Sequence, residues 1–344
     1  MTPGYKGVSF SFINILLFAA LLSCYKKISP SSAVNRNPIP ATPLIKLPHG
    51  WKYLSSYSEA LPYGMQVYQY DSIFAGHNTR AYCLAYDSRV TSFDFKPTIA
   101  AKAKKPSEFF AQEPGVVYAS INGGFFGGNQ SYSLVKYNNV ITAINIKTVH
   151  RKYRESSALY YPTRAAFGVN SLGVPVISWI YHVGVGNDNI YCYPSPATNT
   201  EGNLPEPIPS ETFPAGGTPW DAVSAIGGSP VLILNGAIHI TDKAELINID
   251  NSTSRARSAI GYDNNRTIMI LAVEGVENTN PLQTHVGLNL AELAAMLKSL
   301  GCTNAINLDG GGSTSLVIDN KLTVRPGDSG VERPVMSVLL IKKK

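Results

Sequence analysis

Acidic residues are absent from the first fifty positions of this 344-residue chain, which hold five of its 29 lysines and arginines. The rest of the chain carries 24 basic and 23 acidic residues, so the formal net charge of +6 arises almost entirely at the amino terminus. A nearly neutral body argues against a broad electrostatic surface for nucleic acid. With 44% hydrophobic residues, the body can form one large domain or two small ones with a real core.

Cysteine is scarce, with four in the chain. Apart from Cys24, only Cys83, Cys192 and Cys302 remain; they allow one disulfide at most, and their wide spacing excludes a disulfide-built scaffold and a Cys-x-x-Cys metal knuckle. Each of the three is predicted to be a small buried apolar residue. The chain also lacks His-Glu-x-x-His, a Walker A loop and Gly-x-Ser-x-Gly, which disfavours a zinc hydrolase, a nucleoside triphosphate site and a nucleophile elbow.

Long apolar runs are missing except at residues 10–22, just after Lys6. That run is long enough for a signal-peptide core but short for a membrane-spanning helix. It ends in Leu21-Leu22-Ser23-Cys24, which resembles a bacterial lipobox, in which the cysteine thiol is lipidated. We therefore expect a lipoprotein signal peptide over residues 1–23, lipidation at Cys24, and export to the bacterial cell envelope at the outer membrane or periplasmic face. The alternative is a plain secretory peptide cut near Ser23.

Two proline-rich stretches suggest how the chain is organised. Residues 29–48 hold five prolines among Ser, Asn and Thr, a composition that stays extended. Residues 24–49 are therefore predicted to be a tether and residues 50–344 a single globular domain. Residues 194–220 carry seven prolines and predict a long surface excursion, which either rims a binding site or is a simple insertion.

The body shows several strand patterns and one strong helix pattern. Short runs rich in β-branched and aromatic residues predict strands at 65–70, 81–86, 116–121, 268–273, 305–308, 315–318, 322–324 and 335–341. Apolar residues from Leu290 to Leu300 recur at helical spacing, Asn289 and Glu292 form a capping box, and Gly301 ends the run. We predict an α+β fold of mixed, mostly antiparallel sheets with few helices.

Two pairs of segments in the body have weakly similar sequences. Residues 164–169 resemble residues 257–262, and residues 121–124 resemble residues 226–229. Two related half-sheets that meet at one site would explain both pairs. Chance similarity among glycine-bounded strands explains them equally well.

Glycine-rich turns after two strands point to chemistry. Asp309 ends a predicted strand and is followed by Gly310, Gly311, Gly312, Ser313 and Thr314, where consecutive amides can form an anion-binding concavity. A tight bulged hairpin is the alternative. Asn122 and Gly123 stand in a similar context, where the amide of Asn122 could orient a hydroxyl or a carboxylate, or simply belong to a glycine turn.

Three arginines lie in or beside apolar strands, where an unpaired guanidinium is costly: Arg164, Arg257 and Arg333. A guanidinium matches phosphate or carboxylate groups, so these residues either bind an anionic substrate or form structural ion pairs. Glu274 follows a predicted strand and supplies a second acid beside Asp309. Two carboxylates that flank a glycosidic bond are the usual means of cleaving it.

Five strings in the same order resemble the phosphodiester glycosidase domain family: residues 121–126, 257–261, 288–300, 307–314 and 333–335. The resemblance spans about residues 65–341. It implies an exported hydrolase that removes a sugar, N-acetylglucosamine in the best-known member, from its 1-phosphodiester by cleavage at the anomeric carbon. Two departures are Glu274-Gly275, where many members have Asp-Gly, and Arg257-Ser258, where Arg-Thr is usual.

The resemblance also implies that eight residues surround the substrate: Asn122, Arg257, Asp309, Gly310, Gly311, Gly312, Ser313 and Thr314. The residues themselves add Glu274, Gly123, Arg164 and Arg333 to the candidates. The predicted catalytic residues are Asp309, Glu274 and Asn122, and the predicted substrate and phosphate contacts are Arg257, Gly123, Gly310, Gly311, Gly312, Ser313, Thr314, Arg164 and Arg333. No cofactor is predicted with certainty, and a divalent cation stays open, although Asp263 and Asp319 are expected to be solvated turn residues. The alternative functions are a non-catalytic glycan-binding lipoprotein and a hydrolase of another anionic envelope linkage.

Overall fold

The computed structural model describes residue 1 and residues 42–247, 251–275 and 285–344. The predicted signal peptide, the lipidation at Cys24 and most of the predicted tether lie outside these ranges. No helix in the described ranges is long and apolar enough to cross a membrane.

The described elements follow the chain in this order. The helices are α1 (Ser55–Ser58), α2 (Pro106–Gln112) and α3 (Leu290–Leu300), with a short 3-10 helix at Gly311–Ser313. The strands are β1 (Trp51–Tyr53), β2 (Met65–Phe74), β3 (His77–Asp87), β4 (Phe93–Lys104), β5 (Val117–Asn122), β6 (Phe126–Gly127), β7 (Gln130–Ser131), β8 (Val135–Tyr137), β9 (Val140–Ala143), β10 (Val149–Tyr153), β11 (Ser156–Tyr160), β12 (Arg164–Val169), β13 (Pro175–His182), β14 (Ile190–Tyr193), β15 (Thr218–Pro219), β16 (Ser224–Gly227), β17 (Val231–Leu234), β18 (Ala237–Ile238), β19 (Arg257–Tyr262), β20 (Thr267–Val273), β21 (Asn304–Asn307), β22 (Leu316–Ile318), β23 (Lys321–Leu322) and β24 (Val335–Lys343).

Most strands belong to three sheets whose strand pairs are antiparallel. Sheet A has the order β1-β2-β3-β20-β19-β21-β17-β18, sheet B the order β15-β14-β13-β12-β16-β8-β9, and sheet C the order β23-β22-β5-β24-β4. The prediction of a mostly antiparallel α+β fold with few helices is confirmed.

The main core lies where one face of sheet A meets sheets B and C. Leu84 and Ile260 of sheet A are fully buried in the same cluster as Phe167 of sheet B and Phe95 of sheet C. The last two rings stack with their centroids 5.5 Å apart. All three sheets share this core. The site lies where β5 of sheet C ends beside the start of β19 and the end of β21 in sheet A.

Helix α3 covers the other face of sheet A. Its apolar residues are almost fully buried, as the predicted spacing requires. The side chain of Asn289 accepts a hydrogen bond from Glu292 N at 2.9 Å, and Glu292 accepts one from Asn289 N at 2.9 Å. Gly301 ends the helix at φ 105°, in the left-handed region that favours glycine. The predicted helix and both of its caps are confirmed.

The globular body begins at Thr42, before the boundary predicted at residue 50. Leu44 N donates to Gln66 Oε1 at 3.0 Å and to Tyr68 Oη at 2.9 Å, and Ile45 is only 6% exposed against the α3 side of sheet A. The prolines of this stretch led to the prediction of a tether, although Leu44 and Ile45 pack against sheet A. Residues 42–49 therefore belong to the domain and not to the tether.

All three described cysteines are free thiols. Cys83 and Cys302 are buried, as predicted, and burial raises the pKa of both thiols. Cys192 is only half-buried on β14, which corrects the prediction for that residue. Its sulfur lies 3.4 Å from Thr218 Oγ1.

The similar segments 164–169 and 257–262 form strands in different sheets. Strand β12 lies between β13 and β16 in sheet B, and β19 lies between β20 and β21 in sheet A. Each strand begins with an arginine, Arg164 or Arg257, and forms a hairpin with the strand that follows it. The equivalent positions agree with two related half-sheets, and a common origin stays a prediction.

Candidate active site

The predicted site residues other than Arg164 gather where strands of sheets A and C end. Asn122 is the last residue of β5, and Arg257 is the first residue of β19. Strand β21 runs antiparallel to β19, so its carboxyl end and the following Asp309 lie beside the start of β19. We call residues 309–314, which follow this strand end, the glycine corner.

Asn122 ties the glycine corner to both sheets. Its Nδ2 donates to Asp309 O at 2.7 Å, and its Oδ1 accepts from Ser258 Oγ at 2.6 Å and from Ser315 N at 3.2 Å. The residue is fully buried. This side chain therefore fixes the position of the Asp309 backbone, and the catalytic role predicted for Asn122 stays a prediction.

Arg257 lies directly against the glycine corner. A Cβ added to Gly310 would be 3.7 Å from Arg257 Cδ, and Gly311 N donates to Ala256 O at 2.8 Å. The Arg257 side chain is 3% exposed, and its guanidinium donates to Leu288 O at 2.9 Å and to Thr253 O at 3.2 Å. The expected approach of Arg257 to the triple glycine is thus present.

The backbone amides of the glycine corner are used differently from the prediction. Gly310 N donates to Asp309 Oδ1 at 3.0 Å, and Gly311 N is engaged with Ala256 O. Gly312 N takes part in neither bond. A concavity formed by three consecutive free amides is therefore not present, because two of the amides hold the turn together.

Side-chain hydroxyls add polar groups to the same turn. Ser313 and Thr314 are each 1% exposed, and neither hydroxyl has a hydrogen-bond partner among the described residues. The Ser337 hydroxyl is likewise buried without a described partner, and it lies 2.4 Å from where a Cβ on Gly123 would be. Gly123 is therefore required for close packing of β5 against β24.

Glu274 is buried at 3% exposure and has three partners. Its Oε1 accepts from Arg325 N at 2.9 Å. Its Oε2 faces Arg80 Nη1 at 3.8 Å and His285 Nδ1 at 3.5 Å. Burial raises the pKa of Glu274, although Arg325 N, Arg80 and His285 oppose this shift. The carboxyl group therefore retains its proton to a higher pH than an exposed glutamate.

Asp71 closes this cluster into a ring of four side chains, in which Arg80 and His285 each lie between Asp71 and Glu274. It accepts from Arg80 Nη2 at 2.9 Å and lies 3.5 Å from His285 Nε2. Asp71 and Arg80 face each other across the β2–β3 hairpin. Sequence reasoning missed Asp71, Arg80 and His285, and only the hairpin register could have suggested the first two.

Two glycines bring Glu274 close to the glycine corner. A Cβ on Gly275 would lie 2.1 Å from Ala256 N, and a Cβ on Gly327 would lie 3.2 Å from Gly275 O and 3.5 Å from Gly311 O. Three segments, 255–257, 274–275 and 309–312, are therefore packed against one another. Both predicted carboxylates and Arg257 belong to this one cluster.

Arg333 lies over Gly312 in a structural ion pair, which was one of the two alternatives for this residue, but its partner Asp328 was not predicted. Its Nε donates to Asp328 Oδ2 at 2.7 Å and its Nη2 to Asp328 Oδ1 at 3.0 Å. A Cβ on Gly312 would lie 2.2 Å from both Arg333 Nη2 and Asp328 Oδ1. A residue larger than glycine at position 312 would therefore displace this ion pair.

The Arg164 side chain interacts with residues outside the glycine corner. Its Nη2 donates to Leu246 O at 3.2 Å, and burial lowers its pKa to about 10 while Glu245 opposes the shift. None of its described hydrogen bonds reaches the glycine corner. The structure thus brings together the other predicted side chains and leaves Arg164 beside Glu245.

The described residues contain no group of three or more His, Cys, Asp or Glu arranged to hold a metal ion. Asp263 accepts from Asn265 N and Thr267 N in a turn, and Asp319 forms a turn at φ 49° beside Lys321. Both acids are turn residues, as expected.

The proline-rich excursion passes close to Arg164. Ala197 N donates to Thr163 Oγ1 at 2.9 Å, and Asn199 Nδ2 donates to Tyr161 O at 3.5 Å. The segment therefore packs beside the start of β12. The expectation that it rims a binding site stays open.

Comparisons with known proteins assign most of the chain to one family. A family model described as phosphodiester glycosidase matches residues 115–342. The N-acetylglucosamine-1-phosphodiester alpha-N-acetylglucosaminidase of Bos taurus is 34% identical over 116 residues, which cover 31% of this chain and 21% of the relative. The enzyme of the same name from Homo sapiens is 30% identical over 120 residues, with the same coverage. The match thus spans about a fifth of these curated relatives.

Solved structures share the fold. The zebrafish N-acetylglucosamine-1-phosphodiester alpha-N-acetylglucosaminidase catalytic domain, auto-inhibited by its pro-peptide, has a TM-score of 0.55 at 18% identity and covers 86% of this chain and 89% of that chain. A hypothetical protein from Synechocystis also has a TM-score of 0.55 at 18% identity, covering 88% of this chain and 64% of that chain. At such identity the likeness is one of fold alone.

Proposed function

Because the chain belongs to the phosphodiester glycosidase family, we propose that it hydrolyses the bond between C1 of a sugar and phosphate in a sugar 1-phosphodiester. An N-acetylglucosamine-like sugar is proposed, since that is the sugar named in the curated relatives. The observation that carries the proposal is that the Arg257 side chain packs against Gly310. Gly310 directly follows Asp309 in the glycine corner, and its amide donates to the Asp309 carboxylate.

The chemistry calls for charge stabilisation more than for a strong acid. When a phosphate monoester leaves C1, the carbon becomes oxocarbenium-like and the leaving group is a good anion. A guanidinium beside the leaving phosphate stabilises that charge. Arg257 is proposed for this task because it is buried against Gly310, and Arg333 is proposed to add a second positive charge over Gly312.

The two carboxylates are proposed to act differently because their surroundings differ. Asp309 is half-buried in the glycine corner and is more exposed than Glu274, so we assign it to C1 or to the attacking water. Glu274 is almost fully buried among Arg80 and His285. It is proposed to retain a proton and to position the basic side chains around the site.

The direct test is turnover of a synthetic N-acetylglucosamine 1-phosphodiester by wild type and by Asp309→Asn. The variant should lose about a hundredfold or more in rate while its circular dichroism and melting temperature stay close to wild type. Asp319→Asn, in an exposed turn, is the matched control and should keep full activity.

The products separate the competing functions. Free sugar with a released phosphate monoester supports the glycosidase. Sugar 1-phosphate would identify a phosphodiesterase instead, and wild-type protein that binds the compound without cleaving it would favour a glycan-binding protein. Full activity in a folded Asp309→Asn protein would remove the role assigned to Asp309.

Export and lipid anchoring are proposed from the apolar run and from Cys24. The full chain, expressed in a bacterium with an outer membrane and fed a labelled fatty acid, should carry the label and partition with membranes. Cys24→Ala should lose the label. A labelled Cys24→Ala protein, or an unlabelled wild type, would contradict the anchor.

A further inference from the structure

A polar cavity lies beside the start of β20, at the other end of that strand from Arg257. It has a volume of about 320 Å³, within the roughly 300–1,000 Å³ range of small-molecule sites. Six of its lining residues carry the argument, and we call the cavity they define the distal pocket: Tyr86, Ser88, Phe93, Asp94, Asn138 and Asn170.

The strand registers fix the position of the distal pocket. Tyr86 pairs with Ile268 near the start of β20, whereas Val273 at the other end of β20 pairs with Arg257. Five strand steps at roughly 3.3 Å each separate these two ends, or about 17 Å. The distal pocket is therefore a different cavity from the cluster around Arg257.

Aromatic rings form one side of this cavity. Tyr86 and Phe93 are 3% and 6% exposed, and their rings meet edge to face with centroids 5.8 Å apart. The Tyr86 hydroxyl and the Ser88 hydroxyl are both buried and have no hydrogen-bond partner among the described residues. Buried hydroxyls without partners are costly, and a polar ligand at this position would satisfy them.

Amide and carboxylate groups lie around the aromatic side. Asn170 uses its Oδ1 to accept from Leu172 N and Val174 N, both at 3.0 Å, which leaves its Nδ2 as the side-chain group that can donate. Asp94 accepts from Tyr137 Oη at 2.7 Å through one oxygen and has its second oxygen as a further acceptor.

The charge of the distal pocket differs from that of the glycine corner. Its lining contains one acid, Asp94, and one base, Lys344, and no arginine. A phosphate or carboxylate ligand would therefore meet little net attraction. Hydroxyl groups, which both donate and accept, match this mixture of amide, carboxylate and hydroxyl groups beside aromatic rings.

We propose that the distal pocket binds a neutral hydroxylated ligand, namely one uncharged sugar unit of a glycan, separately from the hydrolytic site. A sugar held there would give the protein a second attachment point on a carbohydrate chain. Two linked binding events raise the overall affinity when both can be occupied together.

The test uses the full-length protein with Asp309→Asn, so that no ligand is hydrolysed. The probes are the methyl glycosides of glucose and of N-acetylglucosamine, followed by saturation-transfer NMR. Tyr86→Phe removes only the hydroxyl, and Asp94→Asn keeps an acceptor for Tyr137. Each change should weaken binding about tenfold. Tyr63→Phe and Asp319→Asn, both at exposed positions, are the matched controls and should bind like their parent.

Each outcome decides the proposal. Saturable binding that Asp94→Asn weakens, and that a non-hydrolysable sugar 1-phosphodiester analogue does not displace, supports it. Absence of saturable binding, or binding unchanged in Asp94→Asn, overturns it. Binding that only the analogue displaces assigns the sugar to the glycine corner and also overturns it. Turnover of the phosphodiester by Asp94→Asn with Asp309 intact should equal wild type, so the hydrolytic proposal succeeds or fails separately.

Discussion

Burial has changed the acid–base behaviour of one side chain at the site. Glu274 lies at the end of β20 among Arg325 N, Arg80 and His285, and its pKa is nevertheless raised because desolvation exceeds the favourable contacts. A group of this kind links folding to pH. Its effect can be measured without any substrate.

Replacing this residue by its neutral isostere should alter the pH dependence of stability. The contribution of Glu274 to folding is complete below the unfolded-state pKa and is lost as pH rises through the raised folded-state pKa. The unfolding free energy of wild type minus that of Glu274→Gln should therefore fall as pH rises through this window, by at most about 1.4 kcal/mol per pH unit. Urea unfolding of both proteins at several pH values measures this. A difference that is independent of pH would contradict the shift.

The residue types at the site could be predicted better than their hydrogen bonds. Asp309, Glu274 and Arg257 were identified because acids and arginines at strand ends are unusual. The partners of Glu274 could not be found, because Arg80 is far away in sequence and His285, eleven positions after Glu274, carries no local signal. The two engaged glycine amides were also missed, since only the folded turn shows which carbonyl each amide meets.

At the scale of elements, helix α3 was the most predictable part of the molecule. Its spacing, its capping box and its terminal glycine all act locally, so they do not depend on the rest of the fold. The strand β23 was less predictable: it covers Lys321–Leu322, whereas residues 322–324 were expected. The left-handed turn at Asp319 and Asn320 decides where the hairpin closes.

The α3 cap should have a measurable effect on stability. Asn289→Ala removes the acceptor for Glu292 N and should destabilise the protein by about 1 kcal/mol. Thermal or urea unfolding measures the loss. Asn265→Ala, in an exposed turn, is the control and should change stability little. Equal stability of Asn289→Ala and wild type would show that the cap contributes nothing here.

The glycine corner should be sensitive to a single methyl group. Gly312→Ala places a Cβ against Arg333 and Asp328. Since both are side-chain ends that can move, stability should change little, while displacement of Arg333 should lower turnover about tenfold or more. Gly186→Ala, where a Cβ meets nothing within 4 Å, is the control. Unchanged turnover in Gly312→Ala would mean that the position of Arg333 does not matter.

At the scale of the whole molecule, one buried carboxylate joins sheets A and B. Glu245 is 0% exposed. It accepts hydrogen bonds from Ala165 N at 3.0 Å, Trp179 Nε1 at 3.0 Å, Val231 N at 2.9 Å and Thr241 Oγ1 at 2.5 Å, and also from the Ser229 hydroxyl. It also provides the negative charge beside Arg164. No local pattern in the sequence indicates this network, because its members are spread over eighty positions.

Loss of this charge should destabilise the whole domain. Glu245→Gln puts an amide donor where donors already converge and leaves Arg164 without its counter-charge. The unfolding free energy should fall by roughly 3 kcal/mol or more, measured by urea denaturation. Glu59→Gln on the surface is the control. A loss below about 1 kcal/mol would show that water or rearrangement replaces the network.

The order and lengths of the strands also affect whether copies of the protein can pair through the edges of their sheets. Five of the six outermost strands, β1, β18, β15, β9 and β23, have four residues or fewer. The sixth, β4, has twelve residues but includes Pro97 and three lysines. Short, charged or proline-containing borders make poor templates for a strand from another molecule. The edges of the three sheets therefore disfavour strand pairing between copies of this protein at high concentration.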